Sequence, residues 1–266
     1  MDRSQSQLDY TKRSSSRGRA LLACLLLVLG LFLTPLDAWG YRPFVSTDAA
    51  VADPKEVEIE LGYFNLQRAK RENTFSIPKL VLNYGLLRDV EIVGEFRVER
   101  SPTANWDVVD PGLFLKAVLK EGILQEKNGI GFAVEAGPLL PSTAKEERKF
   151  GFEGIGILSG QLAALTYHVN FGGGVDRAET NPFAVWGMIL ELPVVPKFRL
   201  VGEVTGESIQ SKKPNNSALF GFIWQPTSSN VFLDAGVRRG ISRVAPDWQF
   251  TMGLTFGFSL SGAARP

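Results

Sequence analysis

One cysteine and one histidine are all that the 266 residues carry of the side chains that most often hold zinc. That count excludes a Cys/His zinc centre and any intrachain disulfide. An excess of charge is also missing, because 29 Lys and Arg face 28 Asp and Glu. No nucleic-acid footprint or polybasic membrane patch follows from such a balance. Helical periodicity is absent from Tyr41 onward. The one long apolar run, Ala20 to Leu33, is shorter than the ~20 residues a membrane-spanning helix needs.

What remains is glycine, aromatic residues and alternation. The 27 glycines and 18 phenylalanines suit twisted, tightly packed strands. Near the C-terminus, Phe250, Met252, Leu254, Phe256, Phe258 and Leu260 occupy every second position. Small or polar residues stand between them, the period-two signature of a strand with one apolar face. In a soluble sandwich that face would meet a core; in an outer-membrane barrel it would meet lipid.

Residues 1–40 are of another kind. Arg3, Lys12, Arg13, Arg17 and Arg19 precede the apolar run, and Ala38-Trp39-Gly40 offers small residues at a cleavage site. The pattern predicts a secretory signal peptide, with a retained anchor helix as the alternative. Cys24 in "LLAC" resembles a lipoprotein box, but nine apolar or glycine residues follow it. It is therefore expected to leave with the signal. A mature chain without cysteine suits an exported protein.

Twelve segments with strand character follow, at 55–64, 74–84, 88–99, 111–120, 128–137, 150–159, 162–172, 182–193, 197–207, 216–225, 230–240 and 248–260. Joins after odd strands read as long and polar ("NLQRAKREN", "PLLPSTAKEERK"); those after even strands read as mostly tight ("GLLR", "EGILQEK", "PVVP"). Outer-membrane barrels segregate short periplasmic turns from longer outer loops in this way. The last strand is expected to close the barrel on Glu56–Tyr63.

The faces agree. Val90, Ile92, Gly94, Phe96 and Val98 oppose Glu91, Val93, Glu95, Arg97 and Glu99. Twelve strands enclose more space than side chains alone fill, so a wet interior fits the charged face. "LVLNY" and "AVWGMILEL" are apolar on both faces; a plug, a partner protomer or a narrow, side-chain-filled lumen would each explain them.

Candidate lumen and selectivity residues are Glu91, Glu95, Arg97, Lys116, Glu135 and His168, then Arg199, Glu203, Glu207, Asp234 and Arg238. Glu99, Lys120 and Glu153 belong to the same set. Such side chains set charge selectivity in a pore, or pair across strands to rigidify a closed interior. No catalytic residue is expected. His168 has Thr166 and Asn170 two positions away and no serine after it, so no nucleophile–base pair reaches lipid. Its parity turns it inward, as a lumen hydrogen-bonder. Neither a metal nor a cofactor is expected.

"YRPFVSTDAAVADPKEVEIELGYF", "LVLNYGLLRDVEIVGEF" and the closing "APDWQFTMGLTFGF" resemble exported bacterial proteins of the "MetA-pathway of phenol degradation" family. That resemblance implies an outer-membrane barrel; it carries no catalytic residue over. Ser46-Thr47-Asp48-Ala49 departs from the adjacent acidic residues usual there. Thr251-x-Gly253-x-x-Phe256-x-Phe258 is similar to the assembly signal read by the barrel-assembly machinery.

The expected architecture is an all-β, transmembrane, up-and-down antiparallel barrel. It comprises a signal peptide (1–40), a periplasmic N-terminal segment (41–54), the barrel (55–260) and a C-terminal tail (261–266). Its partners would be outer-membrane lipid, the assembly machinery and a small-molecule solute, aromatic or apolar solutes among them. No nucleic acid is expected, and the oligomeric state is left open. The alternative function is a closed structural or adhesive barrel that displays its long outer loops to a partner.

Overall fold

The computed structural model describes residues 42–70, 72–100, 105–145, 147–227 and 230–260. The signal peptide with Cys24, Tyr41 of the N-terminal segment and the tail 261–266 lie outside the described residues.

Alternating apolar and polar residues build twelve strands. They are β1 (Glu56–Ala69), β2 (Glu72–Leu87), β3 (Val90–Arg100), β4 (Trp106–Lys120), β5 (Gly131–Leu139) and β6 (Gly151–Leu162). They continue as β7 (Leu165–Val175), β8 (Pro182–Val195), β9 (Phe198–Ile209), β10 (Asn215–Trp224), β11 (Val231–Gly240) and β12 (Trp248–Ser259). Each pairs antiparallel with its neighbours in sequence, and β12 returns to β1 to close the ring. Closure runs from Glu56 opposite Ser259 to Arg68 opposite Trp248, with a bulge between Gly62 and Phe64. The predicted fold class and closing pair are both observed. A closed ring leaves no strand edge unpaired, which is the condition for spanning a bilayer with strands.

The two faces separate cleanly. Trp248, Phe250 and Met252 are exposed on the outside, while Thr251 and Thr255 are buried inside. Phe171, Trp186, Met188 and Phe220 extend the apolar exterior around the ring. An apolar exterior over a polar interior inverts the pattern of a soluble protein.

The joins differ from expectation most clearly at two places. "NLQRAKREN" is largely strand, with Gln67 opposite Thr74 and Arg68 opposite Asn73. Ladder bonds are made by the backbone, so a polar stretch continues a hairpin as readily as an apolar one. "EGILQEK" belongs to a longer connection, 121–130, that contains a 3-10 turn at Ile123–Gln125. Its length has a use: Leu124 packs under Ala49, and Gln125 Nε2 donates to Ala49 O at 2.8 Å.

Residues 42–54 correct a second expectation. The sequence reads 41–54 as a periplasmic N-terminal segment. Instead residues 42–54 form a strap inside the barrel, without helix or strand of their own. Backbone N–H groups that belong to no ladder need other acceptors, and the inward carboxylates, amide and hydroxyl of the wall supply them.

Candidate functional site, a lumen crossed by an N-terminal strap

Arg42 opens the strap at mid-height. Its Nη2 donates to Thr251 Oγ1 at 2.8 Å and its Nε lies 3.5 Å from Asp234 Oδ2. Gly62 and Gly253 make room for this guanidinium. A Cβ on either would stand 2.6 Å from Nη1 or 2.2 Å from Nε. Phe44 then enters an apolar pocket of Ile189, Val201, Leu219 and Ile223, with Phe232 at its margin. Ile189 is the inward face of "AVWGMILEL", so the plug explains that doubly apolar strand. In "LVLNY", Val81 points inward onto Val93, Phe114 and Leu139, a second apolar patch on the lumen wall.

The wall holds the strap mostly by its backbone. Glu203 accepts from Val45 N at 3.1 Å and Ser46 N at 2.7 Å, and also takes Arg238 Nη2. Asn170 grips Thr47 on both sides: Oδ1 accepts from Thr47 N at 2.9 Å and Nδ2 donates to Thr47 O at 2.7 Å. Ser159 Oγ accepts from Ala49 N at 2.9 Å, and Glu91 Oε2 accepts from Ala52 N at 2.7 Å. Lys116 Nζ sits 3.3 Å from both Asp48 Oδ1 and Glu91 Oε1, so the buried ammonium has a carboxylate partner on the strap and another on the wall.

His168 lies in a row that runs across four strands. Its Nδ1 is 2.8 Å from Ser159 Oγ and its Nε2 is 3.1 Å from Glu191 Oε1; Arg199 Nε reaches Glu191 Oε2 at 2.8 Å. Glu191 and Ser159 were not among the sequence candidates. Ser159 is opposite His168 on β6, a cross-strand relation that a search along one strand misses. The row contains a nucleophile, a base and an orienting carboxylate, yet Ser159 and His168 are both fully buried beneath the strap. As it stands it offers no surface on which a substrate could be attacked.

Toward the odd-join end, Arg177 bridges from the β7–β8 connection to β4. It donates to Asp110 Oδ1 at 2.8 Å, Pro111 O at 3.1 Å and Leu140 O at 3.0 Å. Arg97 joins from β3, 3.0 Å from Asp110 Oδ2 and 3.1 Å from Glu99 Oε2. Glu207 lies half-buried on the inner face of β9, and Lys120 is exposed at the end of β4. Outside the strands, burial raises the Asp176 carboxyl, but backbone N–H groups of Glu179 and Asn181 outweigh it and hold the group below its ordinary value. In the β5–β6 connection, burial and the neighbouring Asp110 push Glu147 upward.

Beside the strap remains a cavity of about 1130 Å³. Strap residues line one side; Glu56, Glu58 and Glu60 of β1, Asn83 of β2, Glu95 of β3 and Glu135 of β5 line the other. It reaches the even-join end at Arg88, Asp89, Glu121 and Lys197. Carboxylates outnumber cations about two to one along its wall. Among the described residues, neither Glu135 nor Glu153 has a hydrogen-bond or ion-pair partner.

No family model and no curated protein sequence matches the chain. Solved structures do match. One is the NanC porin, with a TM-score of 0.56, 10% identity, and 75% of this chain covered against 98% of that one. Another is the COG4313 outer membrane channel from Pseudomonas putida F1, with a TM-score of 0.56, 9% identity, and 82% of this chain covered against 100% of that one. At such identity the likeness is one of fold: the chain has the architecture of an outer-membrane β-barrel.

Proposed function

We propose that the protein is a passive channel for small solutes in the outer membrane of a Gram-negative bacterium. The observation that carries this reading is the cavity of about 1130 Å³ inside a closed barrel with an apolar exterior. Channel folds of the neighbouring structures agree with it. Residues 1–40 would direct export, the even joins would face the periplasm, and Thr251, Gly253, Phe256 and Phe258 would serve assembly. The resemblance to the phenol-degradation family, with its implied aromatic solutes, belongs to the same proposal. The patch of Val81, Val93 and Phe114 on the lumen wall supports an apolar part in the solute.

The Ser159–His168–Glu191 row is read as structural, and the protein as no enzyme. Unchanged ester and phospholipid hydrolysis in a His168→Ala variant is the expected result; a loss of activity would reverse it. Planar-bilayer recording and liposome swelling with refolded protein test the channel itself. Absence of both conductance and solute flux would overturn it. The second reading, a closed barrel that presents its outer loops to a partner, is favoured by the strap across the lumen and the Arg177 brace. It would win if deleting 141–149 abolished partner binding while permeability stayed absent.

A further inference from the structure

The strap is recognised in an unusual manner. Glu203, Asn170, Ser159, Gln125 and Glu91 all bind its main chain, at Val45, Ser46, Thr47, Ala49 and Ala52. These wall groups are deeply buried, with Glu203 at 2%, Asn170 at 5%, Ser159 at 0% and Glu91 at 4% exposure. Side chains are recognised at three points: Asp234 and Thr251 take Arg42, the Ile189 pocket takes Phe44, and Lys116 takes Asp48. Together they form a track that reads an extended peptide, with a cation and an aromatic ring two residues apart as its address.

Nothing in the barrel ladder depends on the occupant. Residues 42–54 contribute no strand, and the ring closes through β1 and β12 alone. On removal of the strap, the carboxylates Glu203 and Glu91 would face the adjoining cavity, where water can replace the lost N–H donors. The strap lies against the inner wall of β6–β9, so its departure would widen the cavity toward that wall.

We propose that residues 42–53 are a displaceable occupant, in cis, of a peptide-binding track, and that their release widens the lumen. The widening rests on the channel reading; the binding of peptide to the track does not. Two experiments test it. First, a refolded chain lacking 42–53 is titrated with a fluorescein-labelled peptide, Arg-Pro-Phe-Val-Ser-Thr-Asp-Ala-Ala-Val-Ala-Asp. Saturable anisotropy is expected, and a peptide with Arg42→Glu and Phe44→Ala should bind at least about tenfold more weakly, the loss of two buried anchors. No saturable binding, or equal binding of both peptides, would overturn the track.

Second, the mature chain from residue 41 onward, strap included, carries Ser46→Cys with Gly187→Cys. A Cβ built on Gly187 stands 3.0 Å from Ser46 Cβ, close to the ~3.5–4.5 Å separation of a disulfide. The mature chain would hold no other cysteine. Oxidation should fix the strap to β8, and reductant should raise the conductance several-fold. Equal conductance in both states would overturn release as a device for widening. A protein silent in both states would count against the channel reading and against widening, with the peptide titration still deciding the track.

Discussion

Ser159 on β6 and His168 on β7 face each other across the strand pair, with Oγ 2.8 Å from Nδ1. Ser159 Oγ accepts from Ala49 N and is also hydrogen-bonded to Nδ1. Nε2 lies 3.1 Å from Glu191 Oε1, where a carboxylate can only accept, and the other oxygen of Glu191 takes Arg199. A single hydrogen-bonded chain thus runs from the strap into the wall, with His168 at its centre.

Replacing His168 by Ala should lower stability by about 1–3 kcal/mol, because Ser159 and Glu191 would each lose a hydrogen-bond partner in a buried site. Ser159→Ala removes the acceptor of Ala49 N and should cost a similar amount. The double variant should cost less than the sum, since both changes break the same chain. Urea midpoints of the refolded barrel measure all three; additive losses would show that the row does not act as a unit.

Lys116 carries a heavier electrostatic role. It stands between Asp48 of the strap and Glu91 of β3, all three deeply buried. Lys116→Met leaves two carboxylates side by side without a cation, and losing one partner of a buried pair costs about 3–5 kcal/mol. The strap should loosen before the barrel does, because Asp48 stands on a segment that belongs to no strand. Protease cleavage within 42–54 should therefore accelerate in Lys116→Met while the barrel band on gels persists. Adding Asp48→Asn should restore part of the protection, and no such rescue would contradict the pairing.

Gly253 has two readings, one from sequence and one from packing. As part of Thr251-x-Gly253-x-x-Phe256-x-Phe258 it resembles an assembly signal. In the lumen it lies under Arg42, where a Cβ would come 2.2 Å from Nε and 2.9 Å from Asp234 Oδ2. Gly253→Ala should overpack that contact at a cost of about 1–3 kcal/mol. Combined with Arg42→Ala the nearer clash disappears, so Gly253→Ala should cost less in that background than in the wild type. If assembly yield fell equally with and without Arg42, the strap would not be what glycine serves.

Much of the fold was legible because period-two alternation is local. Phe250, Met252 and Leu254 against Thr251, Gly253 and Thr255 assign both faces of β12 without knowledge of its neighbours. The strand ends were less legible, since Gln67 and Arg68 extend β1 through backbone bonds that composition does not reveal. The strap could not be read at all. "RPFVSTDAAVAD" has no periodicity, and its conformation is fixed by Glu203, Asn170 and Ser159, far away in sequence. The doubly apolar "AVWGMILEL" was its visible trace: Ile189 is apolar because Phe44 lies on it. Ser159 escaped notice for the same reason, as its partner is across a strand pair and not two residues along.

The charge of the open path gives the last expectation. With carboxylates about twice as numerous as cations along the cavity, a permeating cation meets an attractive potential and an anion a repulsive one. Glu135 and Glu153 should matter most, because no ion pair among the described residues offsets them. Lys79 lines the same path and opposes them. Under a potassium chloride gradient the reversal potential should have the sign of cation preference. Glu135→Gln with Glu153→Gln should move it toward zero, and Lys79→Gln should move it the other way. Glu91→Gln tests the distinction between free and paired carboxylates: held by Lys116 and Ala52, it should shift selectivity less than Glu135→Gln does. An anion-preferring wild type, or equal shifts from Glu91 and Glu135, would mean that conduction does not follow this wall.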